Sequence, residues 1–220
     1  MSLPPNSAAT QRNGILLRFI LYIALFVFYN EGMLWEATQA AIAGQKFTSY
    51  ELNFSEVMQN LMLGGAACLA LIARRQWPVL RTGCLLLALF LLASMARQNH
   101  LRLEEWMHPI AWKIIVLALA IYAFTTLFRH WQSLKNELNT YAGSYSFGLL
   151  IAGLLTTYVY SRLFGRQVLW QAALEDGYLR TAKNLAEEAT ESIGYMLIFA
   201  ASVELCLLTR RLYRVQLAHA

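Results

Sequence analysis

The residues best equipped for chemistry gather in ARQNHLRLEEWMHP, residues 96–109. On a continuous helix Arg97, His100 and Glu104 fall at i, i+3 and i+7 and share one face, with His108 near the same line at i+11. Asn184, Glu188, Glu191 and Tyr195 make a second polar stripe at helical spacing. Glu56 and Asn60 stand one turn apart with Gln59 beside them, and Glu31 closes the first apolar run.

Imidazoles and carboxylates in this combination bind divalent ions. His100, His108, Glu104, Glu188 and Glu191 are the expected ligands for an ion such as zinc, which takes three or four of these groups. An open position on such an ion lowers the pKa of a bound water and makes a nucleophile. Without a metal, His100 with Glu104 or Glu191 is a general acid–base pair. Arg97 or Lys113 is then placed to hold a phosphate or an oxyanion. The expected catalytic set is therefore His100, Glu104, Glu191 and Arg97. The plainer account is that charges at helix ends are solvated, with Arg97, Arg102 and Lys113 neutralising Glu104, Glu105, Glu188 and Glu191. The segment is neither HExxH nor a paired CxxC. Glu187-Glu188 lacks the arginine of an EExxxR intramembrane protease, because position 192 is serine.

The elements that position these residues are set by composition. The 220 residues are 58% hydrophobic and 14% charged, with mean hydropathy +0.42. A soluble domain carries about 25% charge. Runs such as GILLRFILYIALFVFYN and CLLLALFLLASMA approach the roughly 17–25 residues that cross a bilayer as helix. They are continuous rather than alternating, which excludes an outer-membrane barrel. The fold class is all-α, a polytopic membrane bundle with about six spans near 14–30, 57–73, 79–96, 110–128, 143–163 and 189–209. Residues 1–13 read as an irregular lead, 14–214 as one transmembrane domain and 215–220 as a tail. The last helix should start early, near 179, and run to about 213, some 50 Å, projecting past the outer headgroups. RQVLWQAALEDG is suited to lie along the interface.

All 13 acidic residues except Glu137 and Glu204 fall in three alternate inter-helix segments. The dense basic segments RRQWPVLR and TRRLYR lie on the opposite side. These short, dense basic segments predict that both termini are inside, which in a bacterial inner membrane makes the acidic face periplasmic. The net charge of +5 is spent on span ends, so no nucleic-acid partner is implied. Cys68, Cys84 and Cys206 sit in apolar runs and read as small buried hydrophobes. Ser144, Gly148 and Ala152 form a small-xxx-small line, and Gly64, Gly65, Ala66 and Ala67 make the second span thin, so both should pack closely. Arg18 and Glu204 lie at similar depth and are expected to pair within the membrane. His130 and His219 are isolated.

The leading functional expectation is a metal- or acid–base-dependent hydrolase or transferase acting on a lipid or lipid-linked substrate. The alternative is a non-catalytic subunit that docks a periplasmic protein. A proton- or cation-coupled transporter comes third, because the span middles are nearly free of ionisable groups.

Overall fold

The computed structural model describes residues 5–42 and 53–218, and among them every regular element is helical. The helices are α1 (Pro5–Ile42), α2 (Phe54–Gln76), α3 (Arg81–Gln98), α4 (His100–Trp106), α5 (Ala111–Arg129), α6 (Trp131–Ala142), α7 (Tyr145–Leu154), α8 (Ser161–Phe164), α9 (Gln167–Leu174) and α10 (Arg180–Ala218). A π-helical segment, Leu155–Tyr160, joins α7 to α8. Among the described residues six helical stretches are long and apolar enough to cross a membrane: Gly14–Gln39, Phe54–Gln76, Pro78–Gln98, Ala111–Arg129, Tyr145–Phe164 and Arg180–Ala218. These are the six expected spans, and the chain is an integral membrane protein.

Three boundaries differ from expectation, the first being the end of the first span, which continues as helix from the expected residue 30 to Ile42. Helix α1 starts at Pro5, so most of the anticipated irregular lead is helical, with proline in the first turn where its missing N–H costs nothing. Helix α10 continues to Ala218 through most of the anticipated tail. Its 39 residues measure about 58 Å at 1.5 Å per residue, against about 30 Å of hydrocarbon. Residues 1–4, Lys46, Glu51 and His219, all used in the charge and site readings or the lead, lie outside the described residues.

The chain divides after Met58 into two compact units, Met1–Met58 and Gln59–Ala220. In the first, the carboxylate of Glu36 on α1 caps the start of α2. Its Oε2 accepts from Ser55 N at 3.1 Å and from Ser55 Oγ at 2.6 Å. A carboxylate at a helix N-terminus satisfies an otherwise unpaired N–H and meets the positive end of the helix dipole. Phe54 packs against Phe28 and Tyr29 and lies over Gly32, where any Cβ would strike its ring.

The second unit is built with small residues inside and large ones outside. Ile114, Leu117, Ile121, Phe124 and Phe128 form a helical stripe on α5 and are all exposed. Lipid is the solvent for that stripe. The buried positions include Ala66, Ala67, Ala70 and Ala73 on α2 and Ser192, Ala200, Ala201, Ser202 and Thr209 on α10. With no hydrophobic drive between helices in lipid, close backbone approach and hydrogen bonds hold the bundle. Helix α10 lies along α7, the π segment and α8, while α3 lies along α5.

Tight packing of α2 holds as expected: a Cβ on Gly65 would come within 3.0 Å of Phe199. The expected line on the fifth span does not. Gly148 and Ala152 are exposed, and Ser144 is an N-cap whose hydroxyl accepts from Phe147 N at 3.1 Å. The close crossing is one residue further on, at Gly153 and Gly194. A Cβ on either would lie 2.9 Å from the other's carbonyl oxygen, and one on Gly194 would also strike Thr157 Oγ1. Cys84 is buried as expected, but Cys68 is exposed and Cys206 half-buried.

At the α6–α7 corner, Ser146 Oγ donates to Ala201 O at 2.7 Å. Its single proton is thereby used, so Tyr141 must donate in the 2.8 Å contact between the two hydroxyls. Tyr141 lies outside the spans. Burial pushes its hydroxyl up to about 12, against a smaller lowering by the Ser146 bond.

Glu137 breaks the acidic partition for a structural reason. Its Oε1 and Oε2 accept from Thr82 N at 3.1 Å and Gly83 N at 2.7 Å, the first turn of α3. Ser133 Oγ adds a third bond at 3.1 Å. Glu137 on α6 thus caps α3 as Glu36 on α1 caps α2.

Candidate functional site

The anticipated face of the third span is interrupted. Helix α3 ends at Gln98, and Asn99, with φ −94° and ψ 22°, separates it from α4. The Asn99 side chain favours the break: its Nδ2 donates back to Met95 O at 2.8 Å, and its Oδ1 accepts from Asn60 Nδ2 at 3.2 Å. A short amide competing for backbone carbonyls is a recurrent helix terminator.

Beyond the break, His100 and Glu104 collect on Trp112 of α5. Trp112 Nε1 donates to Glu104 Oε1 at 2.7 Å, and the His100 ring meets the indole edge-on at 6.0 Å. His100 Nδ1 lies 3.0 Å from Arg97 O. Lys113 stands 5.6 Å over the same indole. His108 is exposed in the α4–α5 turn, where Ile110 N donates to its Nδ1 at 3.4 Å. Pro109 falls in that turn rather than in the first turn of α5.

Glu191 belongs to a different group. It is buried, 7% exposed, and its Oε1 lies 2.6 Å from Arg162 Nη2. The other terminal nitrogen of Arg162 meets Glu187 Oε1 at 2.9 Å, and Lys183 Nζ meets Glu187 Oε2 at 2.6 Å. Gly165 makes room for Glu187, since a Cβ there would come within 2.5 Å of its carboxyl carbon. The Arg97 guanidinium is close enough to act electrostatically on Glu191, Tyr158 and Tyr195. Of the four expected catalytic residues, Arg97 on α3 acts electrostatically on Glu191 on α10. His100 and Glu104 stand beside it on Trp112. Glu188 is half-buried, and its carbonyl accepts from Ser192 Oγ at 2.7 Å.

Under this cluster a directional chain of hydrogen bonds links three helices. Tyr195 OH donates to Gln98 Oε1 at 3.5 Å, Gln98 Nε2 to Gln59 Oε1 at 2.5 Å, and Gln59 Nε2 to Ser192 Oγ at 2.7 Å. Gln59 is only 2% exposed. Satisfying both ends of each amide stabilises the crossing of α2, α3 and α10, because a buried amide left unpaired is costly. Nearby, Tyr158 OH donates to Ser94 Oγ at 2.7 Å, tying the π segment to α3.

The five expected metal ligands are not assembled. Among the described residues no three His, Cys, Asp or Glu side chains are close enough to share an ion. The physical reason is visible in the partners: Glu104 is stapled to Trp112, His108 turns outward, and Glu191 is held by Arg162. Arg18 is half-buried on α1 and Glu204 half-buried on α10.

Sequence reasoning missed Arg162 as the partner of Glu191. Its signal was an arginine within YVYSRLF, an apolar run where a charge needs a partner. It also missed Gln98, Ser94 and Tyr158, which have no distinguishing spacing.

Compared with known proteins, the chain matches no family model, no curated protein and no solved structure.

Proposed function

We propose that the acidic end of the second unit is an acid–base site acting on a lipid or lipid-linked substrate, by hydrolysis or group transfer. The observation that carries this reading is the environment of Glu191, a buried carboxylate paired with Arg162 at 2.6 Å and under the electrostatic influence of Arg97 on another helix. A carboxylate buried within a membrane helix, rather than solvated at its end, is a candidate for function. Glu191 takes the proton of a water or acceptor hydroxyl as it attacks, and later returns it to the leaving oxygen. Arg162 orients the carboxylate. Arg97, which is exposed, holds the phosphate or the developing oxyanion of the substrate. The Tyr195–Gln98–Gln59–Ser192 chain fixes the helix that carries Glu191. His100 and Glu104 supply a second ionisable pair on the rim. In a bacterial inner membrane with both termini inside, this end faces the periplasm.

The test uses the purified full chain in vesicles of total bacterial lipid extract, with products followed by mass spectrometry. Glu191→Gln keeps the shape and should lower turnover by roughly 10²–10⁴-fold, the usual contribution of a general base. Arg97→Gln should lower it as well. Turnover that is undetectable in the native chain, or equal in the native chain and Glu191→Gln, overturns the reading.

One observation favours the assembly alternative. Helix α9 exposes Val168 at 76% and Leu169 at 47%, next to the start of an α10 far longer than a bilayer. A stoichiometric partner cross-linked through residues 165–190, with no lipid turnover, would select that alternative.

A further inference from the structure

The opposite, basic end of the second unit holds a cleft of about 770 Å³, within the usual range for a small-molecule site. Arg74 enters it from the end of α2, Arg81 and Thr82 from the start of α3, and Arg129, His130 and Ser133 from the α5–α6 corner. The one carboxylate in the wall is Glu137, and both its oxygens are committed to the backbone of α3. Its charge is met by the helix dipole, so the three guanidiniums remain in excess over it. The Nε of Arg74 is buried and, among the described residues, has no hydrogen-bond partner.

We propose that this cleft binds a phosphate group. Orientation in a membrane requires only that bases flank the spans. It does not require arginines from three helical segments to line one cavity. Guanidiniums are suited to this role because their planar fork matches phosphate oxygens two at a time. The phosphate can come from an anionic lipid headgroup at the bilayer surface or from a soluble compound, and the ligand chemistry is the same. This inference is independent of the acid–base reading, which concerns the other end.

Thermal unfolding of the full chain in uncharged detergent micelles tests it. The two probes are phosphatidylglycerol doped into the micelles and sodium phosphate at constant ionic strength. At saturation a probe that binds should raise the midpoint by about 5 °C or more. The rise should vanish in Arg74→Gln/Arg129→Gln and persist in Lys135→Gln, since Lys135 lies outside the cleft, over Trp131. Arg81→Gln, at an exposed position, gives the same reading if the double variant does not fold, and should at least halve the rise. A response to phosphatidylglycerol alone assigns the site to a lipid headgroup, and a response to both probes assigns it to phosphate groups in general. No response to either probe, or a response unchanged in the arginine variants, overturns the proposal.

Discussion

Arg162 reaches Glu191 because a π-helical segment, Leu155–Tyr160, lies immediately before α8. A π turn accommodates one extra residue relative to an α turn. Had the backbone stayed α-helical from Gly153 onward, residue 162 would sit about 100° further round the helix, away from α10. The same segment turns Thr157 towards α10, where its Oγ1 donates to Glu191 O at 3.3 Å, and Tyr158 towards α3.

The ion pair should show as coupling. Arg162→Met leaves a buried carboxylate without its partner, and should destabilise the protein by about 1–3 kcal/mol. This is below the roughly 3–5 kcal/mol of a fully buried pair because the Arg162 side chain is 46% exposed. Glu191→Gln should cost less, and adding it to Arg162→Met should recover much of the loss. A double-mutant cycle by chemical denaturation measures this. Additive effects would mean that the pair contributes no coupling.

The helix crossing gives a sharper contrast. Gly153→Ala and Gly194→Ala each force a methyl into backbone atoms less than 3 Å away, and should cost about 1–3 kcal/mol. Gly148→Ala meets nothing within 4 Å and should change stability by under about 0.5 kcal/mol. Three thermal melts distinguish this crossing from one through Gly148.

Glu137→Ala removes the cap of α3 and should cost about 1–2 kcal/mol. Glu137→Gln keeps one acceptor oxygen and should cost less. Hydrogen exchange at the Thr82 and Gly83 amides should rise most in the alanine variant.

Tyr141 should ionise late. Its folded-state value lies near 12, above its ordinary 10.0, so the folded state favours the neutral phenol. Its contribution to stability is fully present below about pH 10 and is lost as pH rises through about 12. The tyrosinate absorbance missing from Tyr141→Phe, relative to the native chain, should appear near the upper value. Its appearance near pH 10 would mean that the hydroxyl is not buried at the α6–α7 corner.

The spans were legible because bilayer length leaves its mark on a single chain, and the early start of α10 because nothing in its first turns breaks a helix. The association of Arg97 with Glu191 was legible from two polar stripes at one end. The break at Asn99 was not, since one asparagine is a weak signal until its side chain finds Met95 O and Asn60. The spacing of Ser144, Gly148 and Ala152 satisfies a packing pattern, but the crossing requires a facing glycine, and only Gly153 has one. The π segment has no composition of its own, so the sequence does not show Arg162 turned towards Glu191.

Helix α10 carries Glu187 and Glu191 near one end, while Gln216 near the other lines the basic cleft, and no proline or π turn interrupts it. None of the usual causes of a sharp kink separates the two, so the carboxylates and one wall of the cleft are carried on a single unbroken backbone.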